Sequence, residues 1–156
     1  MRKSILGAQA IVDIPVKQAR RWFVSLQDDP GVYRFDTHDG FEFVDGGFGE
    51  VGALFRTRER FLGLELELLF ELTEVGEFEF SFRLTRPSSL GIWGGFSIAV
   101  ADGERSRLTL DVGSDAPLGR LVLHFFPVAK AVGRQIEREV AHVKASMERR
   151  SVACAE

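Results

Sequence analysis

The clearest pattern in the chain covers residues 61–86, FLGLELELLFELTEVGEFEFSFRLTR, where hydrophobic and polar positions alternate. Leucine or phenylalanine occupies every second position from Leu64 to Leu72 and again from Phe78 to Leu84. Successive side chains of a β-strand point to opposite faces of a sheet, so the alternation predicts two half-buried antiparallel strands. One face of the predicted sheet is charged, and large hydrophobic side chains cover the other.

Similar patterns predict strands at residues 8–14, 41–45, 53–62, 64–74, 78–86, 92–101 and 107–112. No helical pattern separates the last six strands. We therefore expect neighbouring strands to pair as antiparallel hairpins.

Charged residues predict the register of the hairpin around position 62. If residues 62–63 form a two-residue turn, Arg60 lies opposite Glu65. Arg58 then lies opposite Glu67. Opposite charges thus pair on the exposed face of the sheet, which favours this alignment.

Two further hairpins are predicted to have three-residue loops, which keep their hydrophobic faces together. The first of these loops places Leu72 opposite Phe80. The second places Ile98 opposite Leu110.

Helical patterns flank the strands. Residues 16–27, VKQARRWFVSLQ, predict a short amphipathic helix after Pro15, and residues 31–35, GVYRF, a second short helical piece. Near the end of the chain, hydrophobic residues recur at helical spacing, with charged residues including Glu139 assigned to the other side. This pattern predicts one long helix beginning near Pro127. Its hydrophobic positions are Val132, Ile136, Val140, Val143 and Met147.

These elements predict an α+β fold with a curved seven-stranded antiparallel sheet around the long C-terminal helix. Seven strands span over about 30 Å, whereas one helix is only about 10 Å across. A single helix does not cover such a sheet, so the sheet must curl around it. The curvature predicts a cavity between the sheet and the helix.

Length and composition narrow the functional classes. The 156 residues suit one domain, which we assign to residues 1–150, with 151–156 as a disordered tail. A net charge of −3 gives no basic surface for nucleic acid. The single cysteine, Cys154, fits a reducing cytoplasm, and no hydrophobic run reaches the length of a transmembrane segment.

Several stretches resemble the START-like and Bet v 1-like helix-grip superfamily, which includes polyketide cyclase/dehydrase and lipid-transport-like proteins. They are IVDIPVKQARRWF, DDPGVYRF, VGALFRTRERFLG, WGGFSIAVADGERSRLTLDV with the following PLG, and the long terminal helix. The resemblance covers nearly the whole chain and implies a cavity for lipids, sterols, aromatic polyketides or quinones. It also implies that only some relatives catalyse a reaction.

Large hydrophobic residues of inward parity are the first candidates for a binding site. They either fill a core or form the wall of a ligand pocket, since small-molecule sites are mostly apolar with a few polar groups. The candidates are Phe55, Phe61, Phe70, Phe78, Phe80, Phe82 and Phe96 on the strands, with Ile136 and Val140 on the helix.

Glu59 is the sharpest polar candidate. If Arg58 and Arg60 point outward, Thr57 and Glu59 point inward, and a buried carboxylate is costly unless it is paired or protonated. Glu59 is then a candidate acid or a ligand-orienting group. The alternatives are a purely structural pair and a position near water at the strand end.

The remaining candidates are less specific. His124 in LVLHFFP either points into the cavity or is a structural histidine, and Tyr33 is placed at the mouth of the cavity. Trp93 points outward by strict alternation, but a bulge at Gly94 and the next glycine would turn it inward. His38 is assigned to a polar turn and His142 to a position off the hydrophobic stripe, so no metal site is expected.

The leading hypothesis is a carrier-like protein, not an enzyme, that binds a small hydrophobic molecule and needs no cofactor. One alternative is a polyketide cyclase, aromatase or dehydratase with Glu59 or His124 as the acid or base. A second alternative is a docking module for a protein or a membrane surface, formed by the apolar segment 118–126. Burial of Leu121, Leu123, Phe125 and Phe126 would exclude this docking alternative.

Overall fold

The computed structural model describes residues 2–35 and 38–155. Within them the chain forms seven strands, three α-helices and two 3-10 turns. The strands are β1 (Leu6–Val12), β2 (His38–Asp45), β3 (Leu54–Phe61), β4 (Leu64–Val75), β5 (Glu79–Leu84), β6 (Ile92–Asp102) and β7 (Arg105–Ser114). The helices are α1 (Val16–Ser25), α2 (Pro117–His124) and α3 (Phe126–Ala155), and the 3-10 turns are Pro30–Tyr33 and Ser88–Leu90.

All seven strands belong to one antiparallel sheet with the order β1-β7-β6-β5-β4-β3-β2. The chain therefore runs as a meander from β2 to β7, and β1 closes against the last strand. The predicted α+β class and the curved sheet around a long C-terminal helix are confirmed.

The predicted register of the β3–β4 hairpin is also confirmed. Arg60 pairs with Glu65, and Arg58 pairs with Glu67. The turn between them has positive φ at both central positions, 50° at Leu62 and 75° at the following glycine. This is the two-residue geometry that matches the twist of the flanking strands.

The predicted register of the β4–β5 hairpin is wrong. Leu72 lies opposite Phe82, and Phe80 lies opposite Val75. A register shift between Leu72 and Glu74 accommodates an extra residue in β4. The hydrophobic faces still coincide, because Phe80 and Phe82 have the same parity.

The β6–β7 register is likewise displaced by two residues. Ile98 pairs with Leu108 and not with Leu110. Asp102 and Arg105 form an ion pair across a tight turn, which shortens the predicted three-residue loop and leaves a register shift just before Asp102.

The C-terminal region differs from the prediction at both ends. The segment before the long helix is itself helical, as α2, and an extended backbone at Phe125 separates it from α3. Pro127 lies in the first turn of α3, where a missing backbone N–H has no cost.

The C-terminal end of α3 differs from the prediction as well. The helix continues through residues 151–155, for which the sequence predicts a disordered tail. Hydrogen bonds from Arg150 to Ser25 and from Gln18 to Ser151 attach this end of α3 to α1.

The packing of α3 positions the cavity. α3 packs chiefly against β1, and the hydrophobic core lies between α3, α1 and the strands β1, β6 and β7. In the described residues the sheet contacts of α3 are mainly with β1 and β7, and the part of the concave face toward β2 to β4 borders the cavity. None of the described helices is both long and apolar enough to cross a membrane.

Candidate functional site

A cavity of about 470 Å³ lies between the concave face of the sheet and α3. Its wall is almost entirely hydrophobic and is bordered by strands β2 to β7, α2 and α3. The cavity is bordered by these residues proposed from the sequence: Tyr33, Phe55, Thr57, Glu59, Phe61, Phe70, Phe80, Phe82, Trp93, Phe96 and Ile136.

Aromatic rings in mutual contact form one wall of the cavity. Phe55 stacks on Phe70 with ring centroids 5.3 Å apart, and Phe82 meets both rings edge-on. Contacts of this geometry hold the rings in fixed orientations. The wall is therefore a preformed aromatic surface.

Glu59 is one of the few polar groups that border the cavity. The Thr57 hydroxyl donates a 2.9 Å hydrogen bond to its Oε1. Nε2 of His38 lies 3.5 Å from the same oxygen. Burial raises the pKa of the Glu59 carboxyl above its ordinary value, although the bond from Thr57 partly offsets this effect.

Glu139 approaches the same region from α3. The Tyr33 hydroxyl donates a hydrogen bond to Oε1 of Glu139. Burial, and next the charge of Glu59, raise the pKa of Glu139 from 4.5 to about 8. The Tyr33 phenol, whose pKa is raised well above its ordinary value by burial, stays protonated.

His38 was assigned to a polar turn, and this assignment is wrong. The residue opens β2, pairs with Glu59 in the β2–β3 register and is only 1% exposed. Burial lowers the pKa of His38 to about 4, and the neighbouring His142 acts in the same direction. The Phe35 ring stacks on both imidazoles, with centroid distances of 5.2 and 4.7 Å. His38 is therefore a neutral imidazole at the cavity wall.

Gln135 completes the polar groups of the site. It lies one helical turn before Glu139 and borders the cavity, and it is 8% exposed. Among the side chains described in the structure, none hydrogen-bonds to Nε2 of Gln135 or to Nδ1 of His38. We call Tyr33, His38, Thr57, Glu59, Gln135 and Glu139 the polar cluster.

The structure does not bring His124 to the cavity. This residue is exposed at the end of α2, and its Nδ1 lies 2.7 Å from the carbonyl oxygen of Arg120, one turn earlier. Gly119 and Leu123 occupy the buried face of α2, whereas His124 lies on its exposed face with Leu121. His124 is therefore not an acid or base of this cavity.

Two other predicted ligand residues have different positions from those expected. Val140 is buried in the core and does not border the cavity. Trp93 borders it, but no register shift interrupts β6 at Gly94, so the predicted bulge is absent there. The Trp93 ring lies beside Gly113 and under the Arg2 guanidinium, 5.7 Å from the ring centroid. Its ring thus does not contribute to the aromatic wall.

Sequence reasoning missed Glu139, His38 and Gln135. A signal for Glu139 was present, since it lies three residues after Ile136 and seven after Val132, on the hydrophobic side of α3. His38 gave no such signal, because Asp, Thr and Gly surround it. The position of His38 beside Glu59 follows only from the pairing of β2 with β3.

The segment 118–126 combines exposed and buried hydrophobic residues. Leu121 is 69% exposed, Phe125 62% and Phe126 74%, whereas Leu123 is buried and borders the cavity. The condition that would exclude a docking role is therefore not met. In residues 2–35 and 38–155, no group of three or more His, Cys, Asp or Glu side chains is arranged to hold a metal ion.

Solved structures with the same architecture cover nearly the whole chain. A protein from Thermus thermophilus superposes with a TM-score of 0.71 at 15% identity, over 97% of this chain and 99% of that one. The Zhui aromatase/cyclase from Streptomyces sp. R1128 gives a TM-score of 0.70 at 14% identity, over 94% of both chains. Ara h 8.0201 gives 0.64 at 14% identity, over 91% of this chain and 95% of that one.

No family sequence model and no curated protein sequence matches the chain. The structural likeness therefore concerns the fold. The chain has the helix-grip fold of the START-like and Bet v 1-like proteins.

Proposed function

We propose that the protein binds a small hydrophobic molecule in the cavity and holds the polar end of that molecule against the polar cluster. The observation that carries this proposal is the combination of a hydrophobic cavity of about 470 Å³ with polar side chains in one part of its wall. Ligand sites typically combine these two features. The cavity wall orients the ligand through shape, and the polar cluster fixes which end points inward.

Approximate free energies indicate why ligand binding depends on the polar cluster. Burying about 200 Å² of ligand surface contributes about 5 kcal/mol at about 25 cal/mol per Å². The loss of translational and rotational freedom costs about 4 kcal/mol or more. Hydrophobic burial by itself thus gives weak binding, and hydrogen bonds to Glu59, Glu139 or Tyr33 supply the remaining affinity and the selectivity.

Two adjacent leucines of β4 allow a direct test. Leu68 borders the cavity, whereas Leu69 has the opposite parity and does not. We expect Leu68→Trp to fill the cavity and weaken the binding of a neutral fluorophore such as Nile red by about tenfold or more, a difference of about 1.4 kcal/mol. Leu69→Trp is the matched control and should leave binding unchanged. Equal effects of the two variants, or no saturable one-to-one binding by the wild type, would contradict the proposal.

A second candidate function is acid-base catalysis on a bound carbonyl compound, as in a cyclase, aromatase or dehydratase. The observation that favours it is the convergence of two carboxyls and a neutral imidazole, Glu59, Glu139 and His38, on one part of the cavity. Carboxyls with raised pKa values are suited to donate and accept protons near neutral pH. The fold is shared with the Zhui aromatase/cyclase.

Product analysis distinguishes catalysis from binding. If the protein is a catalyst, a poly-β-ketone model compound incubated with it should gain one ring at unchanged mass, as read by NMR spectroscopy, or also lose one water, as read by mass spectrometry. Glu59→Gln and Glu139→Gln should then slow product formation, with His124→Asn as the control. Recovery of the unchanged compound would leave binding as the function.

The third candidate is docking on an anionic membrane surface through the exposed residues Leu118, Leu121, Phe125 and Phe126. Residues 116–136 contain Arg120, Lys130 and Arg134 but no acidic residue, in a chain of net charge −3. The ammonium of Lys130 lies 5.9 Å from the Phe126 ring centroid, so charge and hydrophobic surface are contiguous. Such a surface suits insertion among anionic lipid headgroups.

Vesicle sedimentation tests this candidate. We expect binding to vesicles that contain phosphatidylserine, and weaker binding to pure phosphatidylcholine vesicles. The double change Phe125→Ser and Phe126→Ser should abolish it. Val152 is also exposed, at the far end of α3, so Val152→Ser is the control. Wild-type protein that stays in the supernatant with both vesicles would eliminate membrane docking.

A further inference from the structure

We propose that the ligand of this cavity is a hydrophobic amine whose ammonium group lies between Glu59 and Glu139. This inference rests on the proposed binding function and names the chemical class of the ligand. It starts from the charges that meet in the polar cluster.

Two carboxyls border the same cavity from opposite layers, and among the described residues no lysine or arginine forms an ion pair with them. Glu59 comes from β3 and Glu139 from α3, and their partners His38 and Tyr33 have ring centroids 4.9 Å apart. The charge of Glu59 accordingly raises the pKa of Glu139. The groups around them are Tyr33 from the first 3-10 turn, His38 from β2, Thr57 from β3, and Gln135 and His142 from α3.

None of these neighbours is a lysine or an arginine. Arg86, exposed after the end of β5, is the only arginine or lysine among the described residues that border the cavity. It does not contribute to the pKa of either carboxyl. Buried carboxyls are normally paired with a cation or held protonated. The cavity provides room for a cation that the described side chains around these carboxyls do not supply.

Two buried polar atoms in this region have no hydrogen-bond partner among the described side chains. If Nε2 of His38 carries the proton and faces Glu59, then Nδ1 is a hydrogen-bond acceptor, and no described side chain donates to it. An ammonium group has three donors and no acceptor, which matches the acceptor oxygens of the two carboxyls. The free Nε2 of Gln135, a donor, is available to an oxygen elsewhere on the same ligand.

The charges predict a measurable release of protons when an amine binds. At pH 7 the Glu139 carboxyl, whose pKa burial raises to about 8, is mostly protonated. An incoming ammonium favours its ionised form, so Glu139 releases a proton as the amine binds. The Glu139 carboxylate then balances the charge of the ammonium. A neutral alcohol displaces no proton, and an anionic acid adds a third acidic group.

Three compounds with the same ring system test this signature by isothermal titration calorimetry at pH 7. They are 2-(2-naphthyl)ethylamine, 2-(2-naphthyl)ethanol and 2-naphthylacetic acid. We expect the amine to bind about tenfold more tightly than the alcohol or better, as for hydrogen bonds between charged groups. The acid should bind most weakly. Titrations in two buffers of different ionisation enthalpy should show proton release with the amine and none with the alcohol.

Variants of the two carboxyls test whether these groups cause the preference for the amine. Glu139→Gln and Glu59→Gln preserve side-chain size, and each should reduce the preference for amine over alcohol by about tenfold. Glu137, exposed two residues before Glu139, provides the control Glu137→Gln, which should retain it. The wild-type comparison does not depend on whether either variant folds.

These experiments distinguish failure of the amine assignment from failure of the proposed binding function. Equal affinity for amine and alcohol, without proton release, would overturn the amine assignment and leave cavity binding in place. Tighter binding of the naphthylacetic acid would overturn it as well. Failure of Nile red and all three naphthalene compounds to bind would remove the binding function itself.

Discussion

The Tyr33 hydroxyl donates a hydrogen bond to Oε1 of Glu139, which joins the first 3-10 turn to α3 across the cavity. Both groups belong to a largely hydrophobic environment that disfavours their charged forms. The Tyr33–Glu139 pair therefore carries little charge near neutral pH. This property underlies the first two predictions.

The stability of the protein is expected to fall as the pH rises from 6.5 to 8. The pKa of Glu139 is raised to about 8, so the folded protein holds a proton that an unfolded carboxyl with a pKa near 4.5 has lost. Because the folded state binds more protons than the unfolded state, the free energy of unfolding decreases with rising pH, by at most about 1.4 kcal/mol per pH unit for this group. Burial also raises the pKa of Glu59, which lowers stability with rising pH only up to that pKa.

His38 has the opposite effect but at lower pH. Its pKa is lowered to about 4 from 6.5, so the folded state binds fewer protons between these values and stability rises with pH there. Between pH 6.5 and 8 the change in stability thus depends on the carboxyls and not on His38. Thermal midpoints measured across it should decline in the wild type and in Glu137→Gln, and less steeply in Glu139→Gln. A wild-type midpoint that stays constant would argue against a protonated Glu139.

Tyr33→Phe should raise the pKa of Glu139 further. The hydrogen bond from Tyr33 lowers this pKa, and its loss leaves a buried carboxyl without its donor. We expect a stability loss of about 1–3 kcal/mol. The pKa is read from the carboxyl carbon shift of labelled glutamate. The phenyl ring retains the tyrosine ring's contacts with Trp22 and Phe41, which makes the change specific to the hydroxyl. An unchanged Glu139 titration would show that the hydroxyl does not control it.

Gly94→Ala should reduce the cavity from the sheet side. A Cβ atom at Gly94 would lie 2.5 Å from the Phe82 ring, which must then shift within the aromatic wall. At Gly95 the closest atoms are 3.4 Å away, so Gly95→Ala is a matched control on the same strand. We expect Gly94→Ala to weaken Nile red binding severalfold and to cost about 1–3 kcal/mol of stability through overpacking. Similar binding by the two variants would mean that the Phe82 ring does not define the cavity.

Gly119→Ala should disrupt the attachment of α2 to the turn after β5. A Cβ atom there would lie 1.8 Å from the carbonyl oxygen of Leu90, which is rigid backbone, and 2.3 Å from Oγ of Ser114. Gly133, in α3, faces open space, so Gly133→Ala should instead stabilise the protein by up to about 1 kcal/mol through helix propensity. Urea unfolding of both variants measures the difference. A Gly119→Ala protein as stable as the wild type would show that α2 is free to move away from Leu90.

The pattern of the chain determined which face of each strand points inward, including the positions of Phe55, Phe82 and Glu59. It also determined the β3–β4 register, because a two-residue turn and charge pairs act between residues close in sequence. The other two hairpin registers were not determined, since a shift of two residues preserves every face. Only the bulges and turns of the assembled sheet select between such alternatives.

The tertiary structure decided which polar groups meet. Glu139 and Tyr33 join because α3 crosses the sheet over the first 3-10 turn, and His38 joins Glu59 because β2 pairs with β3. His124 is excluded because α2 packs with Leu123, and not His124, toward the cavity. Local periodicity assigns side chains to faces, but distances between elements far apart in sequence depend on how those faces pack. The sequence thus predicted a cavity with Glu59 in its wall, and only the packing of α3 on the sheet supplied the second acid, Glu139.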